Sequence, residues 1–183
     1  MNPRTFQLKD GRDYVIREAT TDDVDQMLAH AKRVADEEET LVASPGEFDL
    51  ETEEGLAFIQ GHLDDPNETL FLAFAGDELI GMIDVSCEKR AKKRHAVGFG
   101  MSIKKEYRRN GVGRNLLKMV LDWAALHPEV EKVSLGVISN NPGAKALYES
   151  LGFREEGRLQ AEYKLPDGSH LDNILMTRFV KPV

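Results

Sequence analysis

Apolar residues recur along this chain at two spacings, one near two residues and one near three and a half, and these divide it into strands and helices. Tyr14–Ala19, YVIREA, reads as a first strand. Thr20 or Thr21, followed by acidic Asp22 and Asp23, has the form of a helix start. Val24, Met27, Leu28, Ala31 and Val34–Ala35 then recur at helical spacing. A second amphipathic helix is predicted from Leu50 or Glu51 to His62. Leu70–Ala75 and Leu79–Cys87 are apolar runs around Gly76-Asp77, a hairpin signal. Ala96–Ile103 is the next strand, Gly111–His127 a helix stopped by Pro128, and Lys132–Ile138 a further strand. Pro142–Leu151 is a short helix ended by Gly152. Phe153–Leu165 and Ser169–Val180 make a final hairpin around Pro166-Asp167-Gly168.

The order is β-α-α-β-β-β-α-β-α-β-β, a mixed α/β pattern of about seven strands with flanking helices. The strand–helix–strand unit from Ala96 to Ile138 makes part of the sheet parallel, and the two hairpins make the rest antiparallel. No repeat, linker or low-complexity segment interrupts it, so residues 1–183 read as a single domain.

Composition narrows the class. Hydrophobic residues make up 41% and charged residues 31%, which suits a soluble globular protein. A net charge of −8 argues against broad nucleic-acid binding, which leaves a basic footprint. The basic run Lys89–Arg94, KRAKKR, reads as a solvated connection between two strands. No apolar run approaches the roughly 20 residues needed to span a bilayer, and MNPRTFQLKDGRD lacks a signal-peptide core. The expected location is the cytoplasm, without a membrane partner. The lone cysteine, Cys87, reads as a buried, inert thiol.

Tyr107–Leu117, YRRNGVGRNLL, joins a strand to a helix start and combines two glycines with three arginines. Unpaired N–H groups, the helix dipole and close backbone approach suit a phosphate or pyrophosphate there. A Walker loop is absent: in the nearest string, Gly76–Gly81, Met82 and Ile83 replace the Lys and Ser/Thr. A dinucleotide fingerprint also fails, since its third small residue would fall at Leu116 or at Ile103. A nucleotide-binding module is therefore disfavoured.

The remaining string, R-x-x-G-x-G from Arg108 to Gly113, resembles the acetyl-CoA-binding motif of the GNAT acetyltransferases. Asn141–Phe153, NPGAKALYESLGF, resembles that family's N-x-x-A-x-x-L-Y-x-x-x-G-F pattern, in the right order and distance. The resemblance covers about residues 70–179, with a weaker match from Tyr14. It implies a GNAT-like twisted central sheet with a splay between the fourth and fifth strands, where pantetheine lies. It also implies acetyl-CoA as acyl donor, no metal, and direct acetyl transfer to a primary amine. Arg108, Arg109, Asn110, Gly111, Val112, Gly113 and Arg114 would then hold the pyrophosphate. Met101 and Ile103 would pair with pantetheine, Met101 also offering its backbone N–H to the thioester carbonyl. Asn141 would contact the pantetheine arm, although by itself it reads equally as a helix cap. Tyr148, which by pattern alone is a core aromatic, would protonate the leaving thiolate.

One departure from the family matters. Its frequent fourth-strand glutamate falls at Gly98 here, and Val97–Ser102 supplies no carboxylate. Asp84, Glu162 and Asp172 are substitute bases, none in a recognisable motif, so proton removal through water is favoured. His95, beside the basic run, reads as exposed. The acceptor is a polyamine or another small amine, or a protein N-terminus or lysine. The acidic stretch Asp36, Glu37, Glu38, Glu39, Glu47, Asp49, Glu51, Glu53 and Glu54 could attract a cation or be a solvated flank. A protein that binds or senses CoA with weak turnover is the alternative, and a homodimer stays open.

Overall fold

A computed structural model describes residues 1–37 and 50–182, with the side chain of residue 37 left out. Its elements are β1 (Arg4–Gln7), β2 (Asp13–Glu18), α1 (Val24–Glu37), α2 (Thr52–Asp64), β3 (Thr69–Ala75), β4 (Glu78–Cys87), β5 (Ala96–Ile103), α3 (Val112–Leu126), β6 (Lys132–Ile138), α4 (Pro142–Ser150), β7 (Arg154–Lys164) and β8 (His170–Phe179). They build one sheet in the order β1-β2-β3-β4-β5-β6-β8-β7. Every neighbouring pair is antiparallel except β5–β6, which is parallel, as the strand–helix–strand unit requires.

The described sheet has eight strands rather than about seven. The additional strand, RTFQ, has one apolar residue and so carries almost no alternation, yet it pairs fully with β2. Phe6 stacks on Tyr14 with ring centroids 5.5 Å apart, which anchors this edge.

β3 is buried on both faces, and its residues divide between two cores. Phe71 and Ala73 join Leu116, Leu117 and Val120 of α3 on one side. Leu70, Leu72 and Phe74 join Val24 and Met27 of α1 and Ile59 of α2 on the other. The sheet is thus a middle layer, with α3 on one face and α1 with α2 on the other.

The start of α1 is fixed by charge. Arg17 grips Asp23 with two hydrogen bonds of 2.6 and 2.7 Å, and Asp23 also accepts from the Thr20 N–H at 2.8 Å. The Arg17 guanidinium lies 4.5 Å from the Phe74 ring centre. The basic run Lys89–Arg94 is a short helical turn between β4 and β5. Lys89 pairs with Asp65 and Glu68, and Arg94 with Asp65. Cys87 is partly rather than fully buried and lies beside those acids. Among the described residues, no helix is long and apolar enough to cross a membrane. Of the acidic stretch, Glu38, Glu39, Glu47 and Asp49 lie outside the described residues.

Candidate active site

The parallel pair β5–β6 ends early. Its register pairs are Ala96–Lys132, Val97–Val133 and Gly98–Ser134, although β5 continues to Ile103 and β6 to Ile138. Beyond those pairs, Phe99–Ser102 and Leu135–Ile138 line a cavity of about 560 Å³.

Backbone phase decides what the cavity receives from β5. The Lys104 N–H donates to the Ile80 C=O at 3.0 Å. In an antiparallel pair, hydrogen-bonded and non-bonded positions alternate. Ser102 and Gly100 therefore bond to β4, while Ile103, Met101 and Phe99 turn their backbone groups toward β6. The Ile103 C=O accepts from Arg108 Nε at 3.0 Å. Met101 has no paired residue on β6, so its N–H and C=O face the gap. The same alternation on the β8 side, fixed by Ser139 N–H to Asp172 C=O at 3.0 Å, turns Gly136 toward the gap as well.

The glycine-containing turn leads into α3 through left-handed backbone. Gly111 has φ 86° and Arg109 has φ 61°; the first is favourable for glycine and the second strained for arginine. The first helical hydrogen bond runs from Asn115 N–H to Gly111 C=O at 3.0 Å. The N–H groups of Val112, Gly113 and Arg114 thus precede any intrahelical acceptor, as an anion cradle needs. A Cβ on Gly113 would stand 3.4 Å from Met101 Cε and 3.6 Å from Leu147 Cδ2, while one on Gly111 would meet nothing. Gly111 is therefore a conformational glycine, while a side chain at Gly113 would meet only ordinary contacts with the side-chain ends of Met101 and Leu147. Arg114 is tied to Ser150 at 2.8 Å, and Asn110 bonds to the Arg108 C=O at 3.1 Å. Arg109 is exposed, and its guanidinium reaches within 3.9 Å of where a Gly143 Cβ would be, beside the start of α4. These groups fit a pyrophosphate followed by an amide-bearing chain: a cradle of N–H donors leads into an unpaired strand edge.

Asn141 caps α4, accepting from the Ala144 N–H at 3.0 Å, and it also lines the cavity. Tyr148, about two turns further on, is buried against Phe99 and Phe153, with ring centroids 5.8 and 6.1 Å away. Burial alone pushes its phenol up to about 12. Its ring reaches the cavity wall.

The three candidate bases separate clearly. Glu162 is exposed, in a bulge of β7 between Leu159 and Tyr163. Asp172 pins that bulge, accepting from the Ala161 N–H at 3.0 Å and from Arg158 at 3.2 Å. The Ala161 N–H and then Arg158 hold its carboxyl below the usual range. Asp84 is the one that lines the cavity. Burial pushes its carboxyl up, against opposing influences from His62 and the Gly100 backbone. Asp84 and Gly100 are direct cross-strand partners, and a Cβ on Gly100 would stand 2.7 Å from Asp84 Oδ1. Glycine at that position lets the carboxylate lie over β5, on the same sheet face as Gly98.

Other groups carried little sequence signal. Ser102 lines the cavity and bonds to His30 Nε2 at 2.9 Å. The His30 imidazole, buried and near Lys104, is lowered to about 4 and stays neutral at pH 7. Tyr163 and Asn173 reach the cavity from the final hairpin, and Asn173 Oδ1 is buried without a partner among the described residues. A lone tyrosine beside a bulge cannot be placed from alternation, because the bulge resets the register. His95 is exposed.

Comparison with known proteins gives a consistent frame. The acetyltransferase (GNAT) family model matches residues 27–153, more than half of the chain. The human N-alpha-acetyltransferase 30 is 34% identical over 95 residues, 51% of this chain. That match spans only 26% of the human protein's length. An N-alpha-acetyltransferase of Saccharolobus solfataricus is 29% identical over 180 residues, covering 92% of this chain and 94% of that protein. The crystal structure of a GNAT-family acetyltransferase from Streptococcus pneumoniae superposes with a TM-score of 0.88 at 27% identity, covering 91% and 99% of the two chains.

Proposed function

The chain belongs to the acetyltransferase (GNAT) family, and from that premise we propose that it is an N-acetyltransferase using acetyl-CoA as donor and a primary amine as acceptor. The observation that carries this reading is the convergence in one cavity of the unpaired Met101 edge, the Tyr148 phenol and the Asp84 carboxylate. Acetyl-CoA, when bound, supplies the acetyl group as a thioester; the remaining functions belong to the protein.

The N–H groups of Val112, Gly113 and Arg114 bind the pyrophosphate, and Arg109 adds charge at the rim. Arg108, Asn110 and Ile103 hold the turn in shape. Met101 offers N–H and C=O to the pantetheine chain, and its N–H is the donor for negative charge developing on the carbonyl oxygen. Asn141 fixes the start of α4 and so the reach of Tyr148.

A primary amine with a reference pKa near ~10.4 arrives mostly protonated and must lose a proton to react. Asp84 receives it, directly or through water, and its burial makes it a stronger base than an exposed aspartate. Tyr148 keeps its proton at neutral pH and would offer a neutral hydroxyl to the departing sulfur. Burial makes complete loss of that proton costly, so hydrogen-bond donation is its main contribution.

The test is acetyl transfer from labelled acetyl-CoA to a panel of amines and peptides, with CoA binding measured in parallel. Transfer supports the enzyme. CoA binding without transfer to any acceptor would instead establish a binding or sensing protein, the reading that Gly98 favours.

A further inference from the structure

Resting on the acetyltransferase reading, we infer that the acceptor is a primary amine attached to a large apolar group, with no second charge beside the nitrogen. Directly opposed residues of an antiparallel pair share a sheet face. The pairs Met82–Ser102 and Asp84–Gly100 therefore form one floor, on the side covered by α1 and α2. Met27, Leu28, Ala31 and Val34 of α1 roof that floor, so the stripe that reads as core packing also walls a cavity. Leu50 and Phe58 stand at the same cavity, each 39% exposed. Large apolar side chains left open at a concave site mark an apolar ligand more readily than a charged one.

Charge sharpens the choice. Among the described residues lining the cavity, Asp84 is the only carboxylate, and no lysine, arginine or histidine lines it. Asp84 has no salt-bridge partner among the described residues. One ammonium therefore finds one carboxylate. A second ammonium, as in a polyamine, would be pressed against the aliphatic roof. The carboxylate of a free amino acid would meet no cation among the described lining residues. Either unpaired charge is disfavoured unless it escapes to water. The shared chemistry, an ammonium next to an apolar group, is offered by a peptide N-terminus with a large apolar first residue and by a free arylalkylamine.

Steady-state transfer to a leucine-initiated peptide, phenethylamine, free leucine and spermidine tests this, alongside calorimetric titration of the same amines into the CoA-loaded protein. The peptide or phenethylamine should exceed both spermidine and free leucine about tenfold or more in kcat/KM and in affinity. Whichever of the two leads identifies the source. Phe58→Ala, at a half-exposed position, should raise the apolar acceptor's KM with little change in the KM for acetyl-CoA. Ala31→Glu should shift preference toward spermidine. Preference for spermidine or free leucine in the wild type, or an unchanged acceptor KM in Phe58→Ala, overturns the inference. Apolar preference in calorimetry without any transfer would uphold the acceptor class and overturn only the catalytic reading.

Discussion

At the scale of single residues, Tyr148 and Asp84 should each separate catalysis from packing, the first by leaving stability nearly unchanged and the second by raising it. The Tyr148 hydroxyl has no hydrogen-bond partner among the described residues, while its ring packs between Phe99 and Phe153. Tyr148→Phe should therefore change stability by less than about 1 kcal/mol. It should still lower kcat by ~10²–10⁴-fold if the hydroxyl assists departure of the thiol. Wild-type kcat in the folded variant would return Tyr148 to the core. With the phenol pushed up to about 12, no falling alkaline limb from Tyr148 should appear below pH 10. For Asp84 a stability change is expected. Its folded carboxyl sits above the ordinary value, so the neutral form is favoured in the fold. That contribution is complete below the unfolded pKa and lost as pH rises through the folded one. Above that window, Asp84→Asn should stabilise the protein, seen as a higher urea midpoint at pH 7, while lowering kcat/KM. The residual rate should then climb with pH toward the amine's own pKa, since free amine becomes limiting. A variant with full activity would restore the water route that the sequence favours. Sequence could name Asp84 only as one of three carboxylates. What distinguishes it is the absent side chain across the ladder at Gly100, a contact between residues with no sequence pattern linking them.

At the scale of elements, strongly periodic segments were legible and weakly periodic ones were not. β5 and β6 are found at their predicted bounds because large apolar side chains alternate along each, Val97, Phe99, Met101 and Ile103 in one and Val133, Leu135 and Val137 in the other. β1 escaped because four residues with one apolar side chain are indistinguishable from a polar leader, and only its pairing with β2 makes it a strand. The α1 stripe was legible as a face but not as a wall. Periodicity tells which side of a helix is apolar, not whether protein or a ligand covers it. What aims α1 is its first turn. Burial would raise the Asp23 carboxyl, yet Arg17 and Thr20 outweigh it and hold it below the ordinary range. Asp23→Ala leaves Arg17 without its bidentate partner and the turn without its cap, a loss of about 3 kcal/mol. Chemical denaturation would measure that loss. Because α1 roofs the acceptor side alone, the variant should also show a raised KM for the amine, with acetyl-CoA affinity retained. Equal weakening for both substrates would mean that α1 does not act on the acceptor side selectively.

At the scale of the whole molecule, the sheet separates two cores and the cavity opens where the β5–β6 pairing stops. α3 and α4 approach the unpaired stretch from one side, bringing the N–H cradle and Tyr148. α1 and α2 cover the other, bringing apolar wall to Asp84. Donor and acceptor would thus enter from opposite faces and meet at the exposed edge of β5, the geometry that direct transfer requires. The two sequence blocks on α3 and α4 were legible because each is a local string. The meeting of faces was not, since it depends on where one ladder ends. That ending makes a prediction specific to alternate residues. Gly100 and Ser102 donate across to β4, so their amides should exchange slowly with deuterium whether or not ligand is present. Met101, between them, faces the gap with no paired residue on β6, so its amide should exchange quickly in the free protein. Bound CoA would extend an amide-bearing chain along that edge, and Met101 should then become protected. Residue-resolved exchange with and without CoA reads all three amides at once. Protection of Met101 in the free protein would mean that the edge is already paired, and equal protection of all three on adding CoA would mean global stabilisation. Only selective slowing of Met101 is the signature of a ligand completing the unpaired strand edge.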